Sequence, residues 1–317
     1  MAIRRPSLTK LVLLSMLLVY LPGVTCLPGH PPFPNHPGIR LLTPDLGLHR
    51  DPSWSPDGTR LVFSSAPLPR GTPPEIYTMD IEGKNRVRLT NDSSYNIQPA
   101  WSPKGDRIAF VSLRDDSWVI YTMNPDGDDV VRLVEGGEPA WSPDGEKIAF
   151  QVGDEGEAEI FVWEQGQVTR LTSNIYYDAH PSWSPDGRRI VFSSKRKDTT
   201  GDGLIDHADR CQLYMMNADG SEQRPLTEGP DGYYEPVWAP NGQWIVFRRE
   251  PYLGSDRGES VELLDIHTRQ MQILLKRSLC HDFAWSPDGR RLAFAVVGDA
   301  WDIYVMDVAV VLGKPFP

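Results

Sequence analysis

Trp54-Ser55-Pro56-Asp57-Gly58 is the stretch that decides the fold, because it recurs along the chain. The same or a closely related stretch stands at five further positions: Trp101–Gly105, Trp141–Gly145, Trp183–Gly187, Trp238–Gly242 and Trp285–Gly289. The copies follow one another at intervals of about 40 to 55 residues, and a period of this size is typical of repeat architectures. We number the repeats 1 to 6 in chain order.

Each copy of the motif predicts a β-hairpin. Pro presets φ for the second position of a type I turn, Asp suits the third, and Gly takes the positive φ that follows. An apolar run that ends in Phe comes next in every repeat: residues 61–63, 108–110, 148–150, 190–192, 245–247 and 292–294. The motif therefore joins a strand that ends in Trp to a strand that ends in Phe.

A third and a fourth strand complete each repeat. A run such as Ile76-Tyr-Thr-Met79 follows a variable loop, and a short strand such as Val87-Arg-Leu-Thr90 follows a polar turn. Four antiparallel strands repeated radially are typical of a β-propeller, in which each repeat forms one blade. We therefore predict an all-β fold over residues 38–317, a six-bladed β-propeller of four-stranded antiparallel blades.

The two ends of the predicted domain indicate how the ring closes. Repeat 6 has no Arg-Leu-Thr strand after Met306, whereas that signature stands at Ile39-Arg-Leu-Leu-Thr43. We predict that residues 39–43 pair beside residues 302–307 as the outermost strand of blade 6. In the competing interpretation, Val308 to Leu312 supplies this strand.

Over residues 38–312 the six motifs resemble those of TolB-like propellers, which are built from WD40-like (PD40) repeats. The resemblance implies the propeller fold and the binding of protein segments at the mouth of the central channel. TolB itself has an α/β domain ahead of its propeller. We expect this chain to lack that domain, because few residues precede the first repeat.

The first residues have the pattern of a signal peptide. A basic segment with Arg4, Arg5 and Lys10 precedes the apolar run Leu11–Leu21, which is too short to span a bilayer. We predict a signal peptide over residues 1–26, a proline-rich linker over residues 27–37, and a secreted or periplasmic protein. A lipid anchor at Cys26 is the alternative.

The net charge limits the classes of partner, and the positions of the cysteines bear on disulfide formation. The net charge is −11, and removal of residues 1–26 takes away three basic residues and no acid. A chain this acidic is poorly suited to nucleic acid or to anionic membrane. We expect no transmembrane segment in the mature chain, which we expect to be a monomer. Cys211 and Cys280 fall in repeats 4 and 6, and we predict that they are unpaired.

Strand direction places the long, variable loops on one face, and functional residues are usually found on such loops. One position on this face stands three residues before each Trp: Asp51, Gln98, Glu138, His180, Glu235 and Asp282. We expect these residues to surround the channel mouth, where four carboxylates would focus a negative potential on a cationic group. The alternative is a solvated polar rim whose carboxylates cap backbone amides.

Aromatic residues are expected on the same face. Tyr95, Tyr177 and Tyr234 belong to this group, together with Trp118, Tyr176, Tyr233, Tyr252 and Trp301. Tyr and Trp are frequent in recognition surfaces, although packing under loops explains any one of them equally well. We predict an extracytoplasmic binding propeller that recognises a protein, peptide or glycan through this face.

One insertion in repeat 4 resembles a calcium loop. Residues 198–209 match the twelve-residue pattern of oxygen ligands and a central Gly. The predicted ligands of a structural Ca²⁺ are Asp198, Thr200, Asp202, the Leu204 carbonyl, Asp206 and Asp209. The alternative is a Gly- and Asp-rich surface insertion.

Catalysis has little support in the sequence, which contains neither Gly-x-Ser-x-Gly nor His-Glu-x-x-His. We therefore predict no catalytic residues. The alternative function comes from the resemblance, since some six-bladed propellers are metal-dependent polysaccharide lyases or hydrolases with the site at the channel. That function would require His180, Glu138 and Glu235 to converge on a metal.

Overall fold

The structure is a computed structural model that describes residues 33, 36–67, 71–114, 116–153, 157–174, 176–205, 209–252, 258–276, 278–298 and 300–316. The predicted signal peptide, Cys26 and most of the proline-rich segment lie outside the described residues. Asp206 of the calcium-loop-like insertion lies outside them as well.

The described chain is made of short strands. In chain order they are β1 (Ile39–Leu41), β2 (Gly47–Trp54), β3 (Arg60–Pro67), β4 (Glu75–Asp80), β5 (Val87–Arg88), β6 (Asn96–Trp101), β7 (Ile108–Ser112), β8 (Val119–Met123), β9 (Val131–Glu135), β10 (Gly137–Trp141), β11 (Lys147–Val152), β12 (Glu159–Glu164), β13 (Gln167–Arg170), β14 (Asp178–Trp183), β15 (Arg189–Ser194), β16 (Gln212–Asn217), β17 (Arg224–Pro225), β18 (Gly232–Trp238), β19 (Trp244–Glu250), β20 (Ser260–Asp265), β21 (Met271–Lys276), β22 (Cys280–Trp285), β23 (Arg291–Val297) and β24 (Trp301–Asp307). A short helix, α1 (Val308–Leu312), follows β24.

The strands form four-stranded antiparallel sheets, as predicted. Repeats 2 to 5 each form a separate sheet of consecutive strands, namely β6–β9, β10–β13, β14–β17 and β18–β21. Repeats 1 and 6 belong to one eight-stranded sheet, in which β2 meets β24 through a single parallel pairing of Leu48 with Trp301. The all-β class is therefore confirmed.

The core lies between neighbouring sheets. The second strand of each repeat continues past the Phe at which it was predicted to end, and this Phe is fully buried: Phe63, Phe110, Phe150, Phe192, Phe247 and Phe294. Apolar clusters combine adjacent repeats; Val191 and Leu213 of repeat 4, for example, pack with Trp238 and Phe247 of repeat 5. Because each sheet buries both of its faces against neighbours, its second and third strands are almost continuously apolar.

The motif that identified the repeats forms the predicted turn. In repeat 1 the Gly58 amide donates to the Ser55 carbonyl at 2.9 Å, and Gly58 has φ of 69°. The Ser55 hydroxyl donates to Asp57 at 2.6 Å and accepts the Arg60 amide at 2.9 Å. Ser, Asp and Gly therefore each have a separate role in the turn, which explains why the motif recurs with so little variation.

The N-terminal strand completes the sheet of repeat 6. Strand β1 pairs antiparallel with β24, and Ile39 lies opposite Met306. Thr43 then accepts the Ile303 amide at 2.8 Å. The Thr of the Arg-Leu-Thr strand makes this contact in three other repeats, in which Thr90, Thr172 and Thr227 accept the amides of Ile76, Ile160 and Leu213 at 2.9 Å.

Two expectations about the chain ends need correction. Residues 308–312 form α1 instead of the alternative fourth strand, and Asp307 caps this helix by accepting the Val310 amide at 3.0 Å. The proline-rich segment is not wholly a solvated linker. Phe33 packs edge-on against Tyr304 and Phe294, with ring centroids 5.6 and 6.1 Å apart, since the outer side of repeat 6 offers apolar surface there.

Cys211 and Cys280 are both buried and unpaired, as predicted. Among the residues that the structure describes, no helix is both long enough and apolar enough to cross a membrane.

Candidate functional site

The residue three positions before each repeat Trp, hereafter the ring residue, has an unusual backbone conformation. A register shift interrupts the first strand around it in every repeat. All six ring residues have φ between 52° and 57°, which is uncommon for residues other than glycine. Such a bulge redirects a side chain, and each strained residue costs about 1 kcal/mol or more.

The first strands of all six repeats surround one cavity of about 720 Å³. The ring residues line the end where these strands begin: Asp51, Gln98, Glu138, His180, Glu235 and Asp282. The prolines of the Trp-Ser-Pro turns, from Pro56 to Pro287, line the other end. The structure thus brings all six ring residues together along one channel, with a polar end and an apolar end.

Most ring side chains cap the backbone of their neighbour. Glu235 accepts the Asp282 amide at 3.0 Å, and Asp282 accepts the Asp51 amide at 3.3 Å. Asp51 accepts the Gln98 amide at 3.1 Å, and Gln98 accepts the Glu138 amide at 3.0 Å. We call Glu235, Asp282, Asp51 and Gln98 the paired arc, because these four side chains support the strained backbone of the next repeat.

The remaining two ring residues, Glu138 and His180, form what we call the open arc. The His180 amide donates to the side chain of Gln151 at 3.3 Å, and the Glu235 amide donates to Ser193 at 3.1 Å. Within the described chain, the side chains of Glu138 and His180 therefore cap no ring amide. His180 Nδ1 is buried without a hydrogen-bond partner there, which leaves a polar atom beside the cavity unsatisfied.

Cations that the sequence did not single out stabilise the paired arc. Arg248 Nε lies 3.6 Å from Glu235, and Arg50 Nε lies 3.4 Å from Asp282. His281 also bonds through Nδ1 to Glu235 at 2.9 Å. The carboxylates of the paired arc thus cap backbone amides, as the alternative interpretation expects, but they are half-buried, and Glu235 and Asp282 are also ion-paired.

The residues that sequence reasoning missed occupy fixed positions in the repeat, and these positions could have identified them. Arg248, Gln151 and Ser193 directly follow the buried Phe in the second strand of their repeats, and each pairs with the residue just before the ring residue. Arg50 directly precedes a ring residue.

Glu138 titrates unusually because of its surroundings. Burial, together with the charges of Asp51, Asp282 and Glu235, raises the pKa of Glu138 to about 8, although Arg50 opposes the shift. Burial, with the neighbouring charge of Asp282, likewise raises the pKa of Asp51 to about 6. Near neutral pH the open arc therefore contains a carboxyl group that holds its proton.

Glu235 behaves in the opposite way. Burial alone would raise its pKa, but His281, together with Arg248 and His180, holds the pKa of Glu235 well below its usual range. Burial lowers the pKa of His180, so its imidazole is neutral near pH 7. The two arcs thus differ in protonation as well as in hydrogen bonding.

Comparison with known families identifies the repeat. The profile of the TolB beta propeller domain matches residues 40–138 and 134–274, which is most of the chain. The chain belongs to the TolB β-propeller family. No curated protein sequence matches it significantly.

Solved structures of TolB propellers have the same fold. The putative TolB of Agrobacterium tumefaciens is 23% identical with a TM-score of 0.64, over 84% of this chain and 93% of that one. TolB from Acinetobacter baumannii is 20% identical with a TM-score of 0.61, over 86% and 64%. An oligogalacturonate lyase in complex with manganese is 14% identical with a TM-score of 0.60, over 85% and 92%. Identities this low show the fold alone.

The predicted aromatic residues of this TolB-family chain do not line the cavity. Tyr234 is half-buried beneath Arg248, whose guanidinium carbon lies 4.6 Å from the ring centroid. Tyr177 packs edge-on against His180 at 6.5 Å. Tyr95 is half-buried, and its carbonyl accepts the Leu113 amide at 3.1 Å. Trp301 lies nearer the paired arc, since Arg50 stacks on its ring at 4.1 Å.

The calcium-loop-like insertion of this TolB-family propeller is organised by hydrogen bonds. Asp198 accepts the amides of Gly201 and Gly203 at 2.6 and 2.8 Å. Asp209 is buried and accepts the Thr199 and Thr200 amides at 2.6 and 3.2 Å. Oxygen donors of this kind suit calcium.

The second candidate for a metal site is a cluster of ligating side chains elsewhere among the described residues. They contain no group of three or more His, Cys, Asp or Glu placed to hold a metal ion. In particular, His180, Glu138 and Glu235 do not converge in the way that a metal-dependent lyase or hydrolase would require.

Proposed function

We propose that the six repeats form a six-bladed propeller whose ring is closed by β1. Contacts between repeats 6 and 1 support this closure. The Trp54 indole donates to the Ala284 carbonyl at 3.0 Å, as Trp141 and Trp183 donate to the carbonyls of Ala100 and Ala140 in the preceding repeats at 3.0 and 3.1 Å. Deletion of residues 38–44 should lower the melting temperature markedly, and an unchanged melting temperature would exclude this closure.

We propose that the protein is an extracytoplasmic binding propeller that recognises a protein, peptide or glycan through its long-loop face and channel mouth. One observation supports this function above the others. Six strained bulges direct six polar side chains into one cavity, and strain of this kind is concentrated at functional sites. A scaffold that only needed to be stable would gain from relaxed strands.

The charge of the site favours a partner with a cationic group. Four of the six ring residues are carboxylates, and the whole chain has a net charge of −11. A low-dielectric cavity lined by one sign of charge focuses its potential on the opposite sign. Among the three classes of partner, a protein or peptide that presents Lys, Arg or an amino terminus fits this potential best.

The test is capture of a partner from the native envelope fraction by immobilised protein. The channel variant combines Glu138→Gln, Glu235→Gln and Asp282→Asn. A matched variant combines Glu82→Gln, Glu146→Gln and Glu222→Gln, which are exposed on turns at the opposite face. Each variant replaces three carboxyl groups by amides, and melting curves establish the temperature at which both are folded.

Capture should be weakened with the channel variant and retained with the matched variant. Binding by the wild type should weaken as salt is added, and the channel variant should lose this dependence. Equal capture by both variants would show that the ring has no part in binding.

We also propose that calcium orders residues 198–209, with Asp198, Thr200, Asp202, the Leu204 carbonyl, Asp206 and Asp209 as ligands. The support is the sequence pattern and the crowding of carboxylates in one loop. Because amides now occupy oxygens of Asp198 and Asp209, the ion must replace some of these hydrogen bonds.

A further inference from the structure

Glu138 differs from the other ring carboxylates in its partners. Glu235 and Asp282 lie within ion-pair distance of a cation, and Asp51 accepts both the Ser64 hydroxyl at 2.6 Å and a ring amide. In the described part of the chain, the hydrogen bond to Glu138 comes from the Gln98 side-chain amide at 2.5 Å, and no cation lies within ion-pair distance. A buried carboxylate without a compensating charge is costly.

His180 has a similar deficit. Its ring forms an edge contact with Tyr177, while its buried Nδ1 has no hydrogen-bond partner among the residues that the structure describes. Buried polar atoms are nearly always satisfied, so each exception needs an explanation. His180 lines the cavity, but its Nδ1 has almost no accessible surface, so a bound group supplies the missing hydrogen bond only when the imidazole ring turns towards the cavity.

Two residues of the second strands cap the ring amides that follow Glu138 and His180 in the ring. Gln151 caps the His180 amide, and Ser193 caps the Glu235 amide. The amides of the other four ring residues are capped by the preceding ring side chain. His180 and Glu235 therefore keep the strained ring conformation without support from the side chains of Glu138 and His180.

We propose that Glu138 and His180 are the specificity-determining residues of the channel, and that they bind an organic cation with N–H donors, such as a lysine side chain or an amino terminus of the partner. This proposal rests on the binding function proposed above. The paired arc then serves as the scaffold that holds the bulges in place.

The chemistry of the two side chains selects this class of ligand. A primary ammonium has three donors, and an ionised Glu138 and a neutral His180 imidazole both accept. The ammonium supplies the positive charge that Glu138 lacks and, once the His180 ring has turned towards it, the hydrogen bond that Nδ1 lacks. An anion would face the carboxylates of Asp51, Glu235 and Asp282 in the same cavity.

The proton on Glu138 links binding to pH. The charged groups that act on Glu138 are Asp51 and Arg50 of β2, Glu235 of β18 and Asp282 of β22, and His180 is the next ring residue. Because a cation favours the ionised carboxylate, binding should release a proton. Below pH 8 the affinity should fall about tenfold for each unit of pH.

The probe is n-butylammonium chloride, titrated into the full mature protein by calorimetry at pH 8.5. Tetramethylammonium chloride has the same charge without N–H donors and is the control ligand. The variants are Glu138→Gln, which removes the charge, and His180→Phe, which keeps a planar ring but removes its nitrogen atoms. Glu259→Gln is the matched control, because Glu259 pairs with Arg248 at 3.3 Å outside the cavity lining.

Butylammonium should bind the wild type and Glu259→Gln alike, at least fivefold more weakly to Glu138→Gln, and severalfold more weakly to His180→Phe. The pH dependence should disappear in Glu138→Gln. Equal binding of tetramethylammonium, no binding of butylammonium, or unchanged binding by Glu138→Gln would each overturn the proposal. If the triple channel variant loses the partner while Glu138→Gln retains it, the binding function stands and this assignment is wrong.

Discussion

The paired arc and the open arc of the channel have one backbone conformation, with φ between 52° and 57° at every ring residue, but their side chains have different surroundings. In the paired arc each side chain caps the amide of the next repeat, and arginine or histidine lies beside two of the carboxylates. The side chains of the open arc cap no ring amide, and Gln151 and Ser193 cap the amides of His180 and Glu235 instead.

The difference shows that an acidic ring is not a uniform functional surface. A carboxylate that caps an amide and pairs with a cation already has its interactions, so a ligand must compete with them. A carboxyl group that keeps its proton near neutral pH, as Glu138 does, gains a charge partner only when a cation arrives. Position in the repeat therefore defines which residues form the ring. Their hydrogen-bond and ion-pair partners determine which of them can bind a ligand.

Glu235→Gln tests the paired arc and should have the largest effect. The substitution removes the charge that pairs with His281 and Arg248, which leaves Arg248 buried without this partner. We expect the free energy of unfolding to fall by about 2–3 kcal/mol at pH 7, measured by urea denaturation. An unchanged denaturation midpoint would mean that Glu235 is as free as Glu138.

Glu138→Gln should have the opposite sign. The pKa of Glu138 is raised from 4.5 to about 8 in the folded protein, so the unfolded chain releases this proton first as pH rises. Wild-type stability contributed by the protonated group is complete below about pH 4.5 and is lost as pH rises towards 8. The variant avoids this loss and should be more stable than the wild type at pH 8.

The same pair of proteins should be almost equally stable at pH 4.5, which makes the pH series its own control. Urea curves at several pH values measure the difference. If Glu138→Gln destabilises the protein at pH 8, Glu138 belongs with the paired arc and the contrast between the arcs disappears.

Ser193→Ala sharpens the comparison at the boundary between the arcs. It leaves the Glu235 amide without the cap that Ser193 provides at 3.1 Å, and we expect a loss of about 1 kcal/mol. Ser173→Ala is the control, because Ser173 is exposed. Equal melting temperatures for the two variants would show that His180 or a water molecule replaces the cap.

Calcium should have the smallest effect, and it concerns repeat 4, which supplies His180 and Ser193. We expect calcium at ten times its dissociation constant to raise the melting temperature by about 2–4 °C through mass action. Asp198→Ala combined with Asp202→Ala should abolish the shift. If millimolar calcium does not change the melting temperature of the wild type and gives no heat in calorimetry, the twelve-residue pattern is a coincidence of composition.

Much of the fold follows from the sequence because the Trp-Ser-Pro-Asp-Gly turn depends on local chemistry. Ser55, Asp57 and Gly58 bond within their own turn, so a five-residue pattern is sufficient to recognise it. Counting back from each Trp also locates the ring residues. The β1 pairing was predictable because Ile39–Thr43 repeats a signature that repeat 6 lacks.

The division of the ring could not be predicted in this way. The cap on the His180 amide comes from Gln151, 29 residues earlier in a neighbouring repeat, and such contacts depend on how two sheets pack. The bulges themselves could not be predicted from the alternation of polar and apolar residues. The packing of Phe33 on Tyr304 was missed because a proline-rich composition predicts extended chain without predicting what it touches.

The pairing of β1 with β24 has a consequence for the order of assembly. Repeats 1 to 5 each use consecutive strands, so their sheets can form from short segments of chain. The Thr43 hydroxyl, however, meets the Ile303 amide across 260 residues, and contacts so distant in sequence form slowly. Until then β24 has an open hydrogen-bonding edge, which is a template for the β1 strand of a second copy. Slow folding at high concentration should therefore favour strand-exchanged dimers over aggregates of unrelated structure.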